Sequence, residues 1–370
     1  LMEYMYERLY GKKMYEDGEL SDLLEVAAIA TIGDVMPLVD ENRVLVKHGL
    51  KSLLNTKNLG LRALIKATGM EGKKISAYSI GFVIGPCLNA GGRLENALVA
   101  LNMFMSESSD EANEYAMHLK ELNDERKDLT AMNVKVAVEL AEREYVDDDI
   151  LVIYLENCHE SIAGIIAGRV REALGKPTII LTDAFGEDGM IKGSGRSIES
   201  YNMFEALYEV KDIFEKFGGH HMAAGMSLKK DRLDEFRKRL NENSKLTKED
   251  FIQKIWIDVP LPFSYISHDF VRELEKLEPY GNKNEKPKFA RKGIKILSKN
   301  ILGKNKNVVK MVLEDDGTRL DGIYFCDGEA FFEELKGNNE IDIIYYPDIN
   351  EYGGRESLQV IITGYKIKNI

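Results

Sequence analysis

The chain has 370 residues, 44% of them hydrophobic and 30% charged, which indicates a soluble globular protein of two or three domains. No apolar run approaches the ~18–20 residues of a membrane span, and the opening residues lack the apolar core of a signal peptide. Cys87, Cys158 and Cys326 form no CxxC pair, which disfavours disulfides and structural zinc and predicts a reducing cytosol. The net charge of −12 repels nucleic acid on average, so a binding surface would have to be a local cluster of positive charge.

The first part of the chain is predicted to be helical. Apolar stripes predict helices at residues 1–10 and in SDLLEVAAIATIG, then a loop and another helix in DVMPLVDENRVLVKHGLKSLLN. Residues 76–105 are predicted to be helical around a glycine-rich break, GPCLNAGGRLENA. Residues 107–145 are rich in Glu, Lys and Ala, with apolar positions at helical spacing. They predict one or two long helices that connect domains.

The second part changes character. The strand patterns DDILVIYLE and KPTIILTD flank the helix pattern SIAGIIAGRVREALG, which predicts a parallel βαβ unit. GMIKGSGRSI predicts a further strand broken by glycines, and NMFEALYEVKDIFEKF predicts a helix that leads into FGGHHMAAG. After residue 250, five or six short strands and a helix near 268–278 predict a small antiparallel barrel of OB-like size. The predicted fold class is therefore α/β multidomain.

Two early motifs carry candidate functional side chains. In ATIGDVMPLVDENR, Asp34 follows the glycine that ends an apolar helix. A carboxylate in that position is either a capping or turn residue or a ligand of a hard cation. In IGPCLNAGGRLENA, Asn89 and Arg93 are hydrogen-bond donors suited to phosphate, although a helix break with a surface arginine explains them too.

Two later motifs suggest contact with an anion. KGSGRS combines small residues with three donor side chains, which suits phosphate, but it lacks P-loop spacing, and a glycine-rich hairpin explains it equally. FGGHHMAAG holds two of the six histidines, and adjacent histidines diverge too far to ligate one metal together. His220 is better interpreted as a phosphate donor beside a glycine turn, or else as a turn histidine at a packed Gly/Ala contact. His159 either binds an anion at the N-terminus of the helix that follows it or merely caps that helix.

A cluster of positive charge marks the predicted barrel. Residues 282–310 hold ten lysines and arginines against one acidic residue, Glu285, an excess of +9. Basic grooves on small barrels bind single strands, with aromatic rings stacking on bases, whereas a lysine-rich sheet edge can simply discourage aggregation. The candidate nucleic-acid-binding residues are Lys286, Lys288, Phe289, Arg291, Lys292, Lys295, Lys304 and Lys306.

Taken in order, these motifs resemble the RecJ-type single-stranded-DNA-specific exonucleases of the DHH phosphoesterase superfamily. ATIGDVMPLVDENRVLVKHGL resembles the last motif of the catalytic DHH domain, and IGPCLNAGGRLENA its PxxNAxGR motif. CHESIAGIIAGRV, KGSGRS and FGGHHMAAGMSL resemble signatures of the DHH-associated domain, and LEPYGNKNEKPKF the opening of the RecJ OB domain. The resemblance implies the C-terminal part of a DHH domain at 1–106, a helical connector at 107–145, a DHH-associated substrate-binding domain at 146–245 and an OB-like nucleic-acid-binding domain at 250–370.

The resemblance also implies roles for single residues. Asp34 matches the aspartate that completes a cluster of two Mn²⁺ or Mg²⁺ ions, which makes it a catalytic and metal-binding candidate. Ser194 and Arg196 match the pocket for the 5′ phosphate, which sets 5′→3′ polarity. His220 matches a catalytic histidine that faces the substrate phosphates. The remaining candidates for the substrate cleft are Asn89, Arg93, Gly218 and Gly219.

One departure from the family concerns the metal site. The family's other metal ligands, including the Asp-His-His motif, have no counterpart here, since the His-His pair at 220–221 follows a glycine. The chain is therefore expected to be an N-terminally truncated fragment, inactive alone but able to bind single strands.

The expected function of the intact protein is two-metal 5′→3′ hydrolysis of single-stranded DNA in repair and recombination. We expect a cytoplasmic monomer without membrane contact, with a helicase or single-strand-binding protein as candidate partners. One alternative is an oligonucleotide or cyclic-dinucleotide phosphodiesterase of the same superfamily, which usually lacks the added barrel. The other is a non-catalytic single-strand-binding replication scaffold.

Overall fold

A computed structural model describes residues 8, 11 and 19–367, without the side chains of residues 19–22 and 352. The helix predicted at residues 1–10 therefore falls almost entirely outside the described residues. The helices are α1 (Glu19–Gly33), α2 (Asp40–Leu53), α3 (Leu59–Ala67), α4 (Ala77–Ser79), α5 (Gly85–Leu94), α6 (Leu98–Met105), α7 (Ser109–Glu144), α8 (Ala163–Leu174), α9 (Met203–Glu209), α10 (Leu233–Glu242), α11 (His268–Glu275) and α12 (Gly328–Leu335). The strands are β1 (Leu151–Tyr154), β2 (Thr178–Asp183), β3 (Met190–Arg196), β4 (Phe214–His220), β5 (Ala223–Lys229), β6 (Val259–Pro260), β7 (Phe289–Leu302), β8 (Val308–Asp315), β9 (Thr318–Tyr324), β10 (Glu340–Tyr352) and β11 (Arg355–Ile367). In this described part, no helix is both long and apolar enough to cross a bilayer.

The chain divides into two compact units. The barrel unit contains residues 1–55, 75–80 and 255–370, and the sheet unit contains residues 56–74 and 81–254. Each unit is thus assembled from segments that are far apart in sequence. The domain boundaries at 106, 145 and 245 stay predictions.

The sheet unit is built on a five-stranded sheet with the order β1-β2-β3-β5-β4. β1 and β2 pair in parallel across α8, which confirms the predicted βαβ unit, and the other neighbours are antiparallel. α8 ends at Gly175, whose positive φ of 68° suits glycine. Because side chains alternate along β2, Ile179 and Leu181 enter one apolar core and Ile180 enters another. β1 and β2 are therefore buried on both faces of the sheet.

The predicted connector is one continuous helix of 36 residues, α7. Ser108 caps its start by accepting a hydrogen bond from the backbone N–H of Glu111 at 3.2 Å. Small residues let neighbouring helices pack closely against it. A methyl group on Gly91 of α5, for example, would lie 3.2 Å from Leu119 Cδ2 of α7.

Two local predictions in the sheet unit need correction. The predicted break in GPCLNAGGRLENA exists, but it lies at residues 95–97 and not at the glycines, because residues 85–94 form α5 with Pro86 in the first turn, where proline costs no hydrogen bond. The helix predicted to run through Phe217 ends at Glu209, and residues 214–220 are strand β4. Pairing with β5 and the edge-on packing of Phe214 against Phe236 at 5.1 Å override the helical pattern there.

The barrel unit carries the predicted OB-like barrel. Its strands follow the order β10-β11-β9-β8-β7-β6, and a pairing of β10 with β7 closes five of them into a ring. The expectation of a purely antiparallel barrel was wrong, since β9 and β11 pair in parallel. The core is apolar and aromatic: Tyr345 packs edge-on against Phe263 at 5.5 Å, and its hydroxyl donates to Leu261 O at 2.6 Å. α11 lies before the barrel strands, near the predicted position, and α12 lies between β9 and β10.

Candidate nucleic-acid interface

The sheet unit contains an open pocket of about 580 Å³. The end of α5, the segment before α8, and strands β3, β4 and β5 form its walls. Its lining residues are Gly92, Arg93, His159, Glu160, Ser161, Lys192, Gly193, Ser194, Lys216, Phe217, Gly225, Met226 and Ser227. Two predicted site residues, Arg93 and Ser194, thus lie on one pocket. Asn89 of α5 is exposed and is not among the lining residues.

β3 supplies Ser194 to the lining of this pocket, and Arg196, which is not itself among the lining residues, lies next to Ser194. Alternation along the strand places Ser194 and Arg196 on one face and Gly195 on the other. A methyl group on Gly195 would lie 3.1 Å from Met203 in the core, so the core packs closely against this glycine. On the polar face, Arg196 Nη1 donates to Ser194 Oγ at 2.7 Å and to Gly195 O at 2.8 Å. KGSGRS is therefore a continuous strand, not a hairpin, and it holds a serine and an arginine as one donor pair.

Positive charge accumulates beside this donor pair. Burial and then the guanidinium groups of Arg171 and Arg93 lower the pKa of Arg196. Burial and then Arg93 lower the pKa of Arg126 on α7. Neither Arg93 nor Arg196 forms an ion pair within the described residues, and Arg171 Nε is buried without a hydrogen-bond partner there. A positive charge that is partly removed from water and has no carboxylate partner is costly. A bound anion would offset that cost and would therefore be stabilised here.

His159 fills the capping role, one of the two roles left open by the sequence. Its Nδ1 accepts a hydrogen bond from the backbone N–H of Ser161 at 3.3 Å and lies 2.7 Å from Ser161 Oγ. It thereby caps the short 3₁₀ turn at Glu160–Ile162 that leads into α8. A neutral imidazole whose Nδ1 accepts carries its proton on Nε2. The ring can therefore cap the turn and still donate from Nε2 to a ligand in the pocket that it lines.

Sequence reasoning missed two lysines of the pocket. Lys192 of β3 lies 3.1 Å from Glu187 and 3.5 Å from Glu160, and the hydrogen bond to Glu187 is the largest cause of its raised pKa. Lys216 of β4 has no such partner within the described part of the chain. Lys192 is the first residue of KGSGRS. Because side chains alternate along a strand, its position two residues before Ser194 could have placed it on the same face of β3. Lys216 was missed because the segment that contains it was predicted to be a helix.

The two histidines of FGGHHMAAG diverge, as predicted. His221 Nε2 lies 2.9 Å from Glu199 O, a contact that serves the local fold, and His220 ends β4 as an exposed residue. His220 is not among the residues that line the pocket, so its catalytic role stays a prediction. A methyl group on Gly219 would lie 2.5 Å from Ala223 O, so glycine is required there, whereas Gly218 faces open space.

Asp34 lies in the barrel unit, exposed just after α1. The next residue, Val35, has a positive φ of 54°, a strained conformation for a β-branched side chain. Asn282 holds this loop twice: its side-chain amide donates to Val35 O at 2.8 Å, and its carbonyl accepts from Leu38 N at 2.7 Å. Arg43 adds a third anchor by donating to the carbonyls of residues 276–278. The Asp34 loop is thus fixed by the segment that enters the barrel.

The basic cluster of the barrel is partly neutralised. Carboxylates inside and outside the segment pair with several of its cations, and Lys286 lies over the ring of Tyr346 at 3.6 Å. The ion pairs are Lys288 with Glu285 at 3.1 Å, Arg291 with Asp315 at 2.8 Å and Asp316 at 2.7 Å, Lys310 with Asp321 at 2.8 Å, and Lys306 with Glu329. Lys292, Lys295 and Lys304 carry no ion pair within residues 19–367. Among the candidate nucleic-acid-binding residues, these three lysines are the cations most available to a nucleic acid.

Phe289 cannot stack on a base, which corrects the sequence prediction. It is only 4% exposed and packs in the barrel core against Phe270 and Tyr345. Phe325, by contrast, is 64% exposed, and its neighbour Cys326 donates a backbone hydrogen bond to Asn307 O. That bond places it beside the β7–β8 turn, which carries Lys304 and Lys306. The feature of the sequence that could have identified Phe325 is the position of an aromatic residue in a polar turn, just after β9.

Comparison with known proteins now identifies the two folded regions. Residues 147–245 match the family model of the DHHA1 domain, and residues 257–364 match that of the RecJ OB domain. The chain is 37% identical over 348 residues to the single-stranded-DNA-specific exonuclease RecJ of Bacillus subtilis, which covers 93% of this chain. It is 32% identical over 354 residues to RecJ of Escherichia coli, again over 93% of this chain. This chain belongs to the RecJ family.

The structural comparison agrees with the sequence comparison. The crystal structure of RecJ from Thermus thermophilus in complex with Mn²⁺ matches all of this chain with a TM-score of 0.84 at 25% identity. The match spans 52% of that RecJ chain, and the chain spans 44% of the Bacillus RecJ and 61% of the Escherichia RecJ. The predicted architecture of helices, a DHH-associated domain and an OB-like barrel is confirmed by these matches.

RecJ from Thermus thermophilus has been solved with Mn²⁺ and with Mg²⁺. In this RecJ-family chain, no group of three or more His, Cys, Asp or Glu side chains that could hold a metal occurs among the described residues. A pair of ions held ~4 Å apart needs several carboxylates and imidazoles, and Asp34 offers one carboxylate. The described residues therefore do not fit a metal pair by themselves.

Proposed function

We propose that this chain is part of a 5′→3′ exonuclease that hydrolyses single-stranded DNA, and that the pocket of the sheet unit receives the 5′ phosphate. The observation that carries the proposal is the Ser194–Arg196 donor pair on β3, with a partly desolvated guanidinium that has no ion pair within residues 19–367. The names of the relatives, single-stranded-DNA-specific exonucleases, support the substrate.

In this proposal, the pocket residues bind and orient the strand end. The Arg196 guanidinium and the Ser194 hydroxyl donate to phosphate oxygens, and forked guanidinium contacts to phosphate are both strong and directional. Arg93, whose Nη1 donates to Ser161 O at 2.7 Å, adds a second positive charge at the rim. His159 donates from Nε2. A terminal phosphate suits this site better than an internal one, since it brings more charge and an additional oxygen.

The barrel then binds the strand beyond its end. Lys292, Lys295 and Lys304 neutralise backbone phosphates, and Phe325 offers a ring for base stacking. Neither kind of contact reads sequence, so the barrel would bind single strands of any composition.

Hydrolysis by a two-metal mechanism, with Asp34 as one ligand, is also part of the proposal. The described residues contain no metal-binding cluster, so we propose that further ligands complete the centre in the whole protein and that this chain alone binds DNA without cutting it. The biological role that we propose is DNA repair and recombination by a cytoplasmic monomer. Candidate partners are a helicase and a single-strand-binding protein.

The exonuclease proposal is tested in the whole protein that contains this chain. With Mn²⁺ it should degrade 5′-phosphorylated single strands from the 5′ end, and Asp34→Ala should abolish degradation while leaving DNA binding intact. Asp40→Ala, which removes another exposed carboxylate near the same loop, is the matched control and should remain active. Full activity of the Asp34 variant, or equal degradation of blunt duplex, would contradict the proposal. Cleavage of cyclic dinucleotides in preference to long strands would favour a phosphodiesterase of the same superfamily, and binding without any cleavage would favour a scaffold.

A further inference from the structure

The helix that covers β3 presents two glycines to Arg196. Gly164 and Gly168 of α8 are four residues apart and therefore lie on the same face of the helix. A methyl group on Gly164 would lie 2.6 Å from Arg196 Nη2 and 3.0 Å from Ser194 Oγ. One on Gly168 would lie 3.9 Å from Arg196 Cγ. The arginine side chain thus lies along this face, with its stem at Gly168 and its guanidinium at Gly164.

The contacts of Gly164 distinguish it from glycines that serve packing. Gly193 of β3 is needed because a methyl group there would lie 2.5 Å from the backbone carbonyl of Ile180. The atoms nearest to Gly164 are side-chain atoms of Arg196 and Ser194, the two proposed phosphate ligands. Gly164 is the second residue of α8 and has no positive φ, so the backbone conformation gives no reason for glycine instead of alanine at this position. The space at Gly164 is occupied by the guanidinium group and not by another segment of backbone.

We propose that Gly164 is a positioning residue for the phosphate pocket: the absence of a side chain there seats the Arg196 guanidinium against Ser194. The inference rests on the proposed role of Ser194 and Arg196 in binding the 5′ phosphate. A methyl group at Gly164 would displace the guanidinium and break its hydrogen bond to Ser194 Oγ, now 2.7 Å long. Because the crowded atoms belong to the far end of a flexible side chain, the fold would adapt by moving the arginine. The preference of the pocket for a phosphorylated strand end would then fall, while the stability of the fold would not.

Gly164→Ala and Gly168→Ala form a matched pair in this chain, since both exchange the same residue on the same face of α8. Fluorescence anisotropy with 5′-phosphorylated and 5′-hydroxyl oligonucleotides of equal length measures the affinity ratio of the two strand ends. We expect Gly164→Ala to reduce that ratio about tenfold, the loss of one charge-assisted hydrogen bond, and Gly168→Ala to leave it unchanged. Both variants should melt at or above the wild-type Tm.

A crystal structure of Gly164→Ala separates this inference from the proposed function. The inference predicts a guanidinium moved away from Ser194, whatever the protein binds. An unmoved guanidinium, or an unchanged affinity ratio in Gly164→Ala when the wild type discriminates, would overturn it. Equal losses in the two glycine variants would also overturn it, since they would indicate a general effect on the helix. If the wild type does not discriminate between the two ends, the phosphate role of the pocket fails, and the structure alone decides whether Gly164 positions Arg196.

Discussion

The pocket of the sheet unit and the basic segment of the barrel are both cationic, but they differ in how their charges are compensated. The barrel segment has far more basic residues, yet Lys288, Arg291, Lys306 and Lys310 are paired with carboxylates. Arg196, which donates to the pocket residue Ser194, has no ion pair within the described part of the chain, and its pKa is lowered by burial and by other arginines. The number of basic residues on each surface therefore does not tell which surface binds a ligand more selectively. The partly desolvated Arg196, without a carboxylate partner in the described part of the chain, should select a ligand, whereas the solvated barrel should hold one weakly and without selectivity.

The largest expected effect distinguishes Phe289 from Phe325 in the barrel unit. Phe289→Ala should lower the free energy of unfolding by about 3–5 kcal/mol, because it empties a buried site in the core. Phe325→Ala should leave the Tm unchanged and weaken binding to single strands by about 1–3 kcal/mol, the usual value of one stacked base. Thermal melting and anisotropy on the same two variants check both statements. A stable Phe289→Ala that binds DNA poorly would reverse the assignment.

A smaller effect is expected when two lysines of the basic segment of the barrel are compared. Lys304 has no ion pair within residues 19–367, while Lys310 lies 2.8 Å from Asp321. If the unpaired lysine contacts a phosphate, Lys304→Ala should reduce the slope of log affinity against log salt by about 0.7, the value for one contact to a single strand. Lys310→Ala should change the slope less, because its charge is already compensated. Equal changes in the two slopes would show that ion pairing does not control which lysines bind.

The sequence predicted those features that depend on local pattern. The βαβ unit, the long helix α7 and the barrel were predicted from apolar periodicity, and Ser194 and Arg196 from the donor content of KGSGRS. Alternation alone would have placed the last two on one face of β3, as the structure does.

Sequence patterns did not predict the features that depend on contacts between residues far apart in the chain. The partners of Arg291 and Lys306 lie outside the basic segment, so counting charge within residues 282–310 overestimated its available charge. Phe289 was selected because it sits among lysines, but the closure of β7 on β10 turns its ring into the core. β4 was mistaken for helix because its pairing with β5 outweighs the local preference.

The central claim is that the pocket, and not the barrel, recognises the end of the strand. The most direct measurement is the affinity of this chain for 5′-phosphorylated and 5′-hydroxyl single strands across a salt titration, in the wild type and in Arg196→Met. Methionine keeps the apolar stem of the side chain and removes its charge, and Arg143→Met, at an exposed arginine on α7, is the control. We expect the wild type to prefer the phosphate about tenfold or more, as for a charge-assisted contact, and this preference to persist as salt weakens overall binding. Arg196→Met should abolish the preference. Equal affinities for the two ends at every salt concentration, or a preference that survives Arg196→Met, would contradict the account.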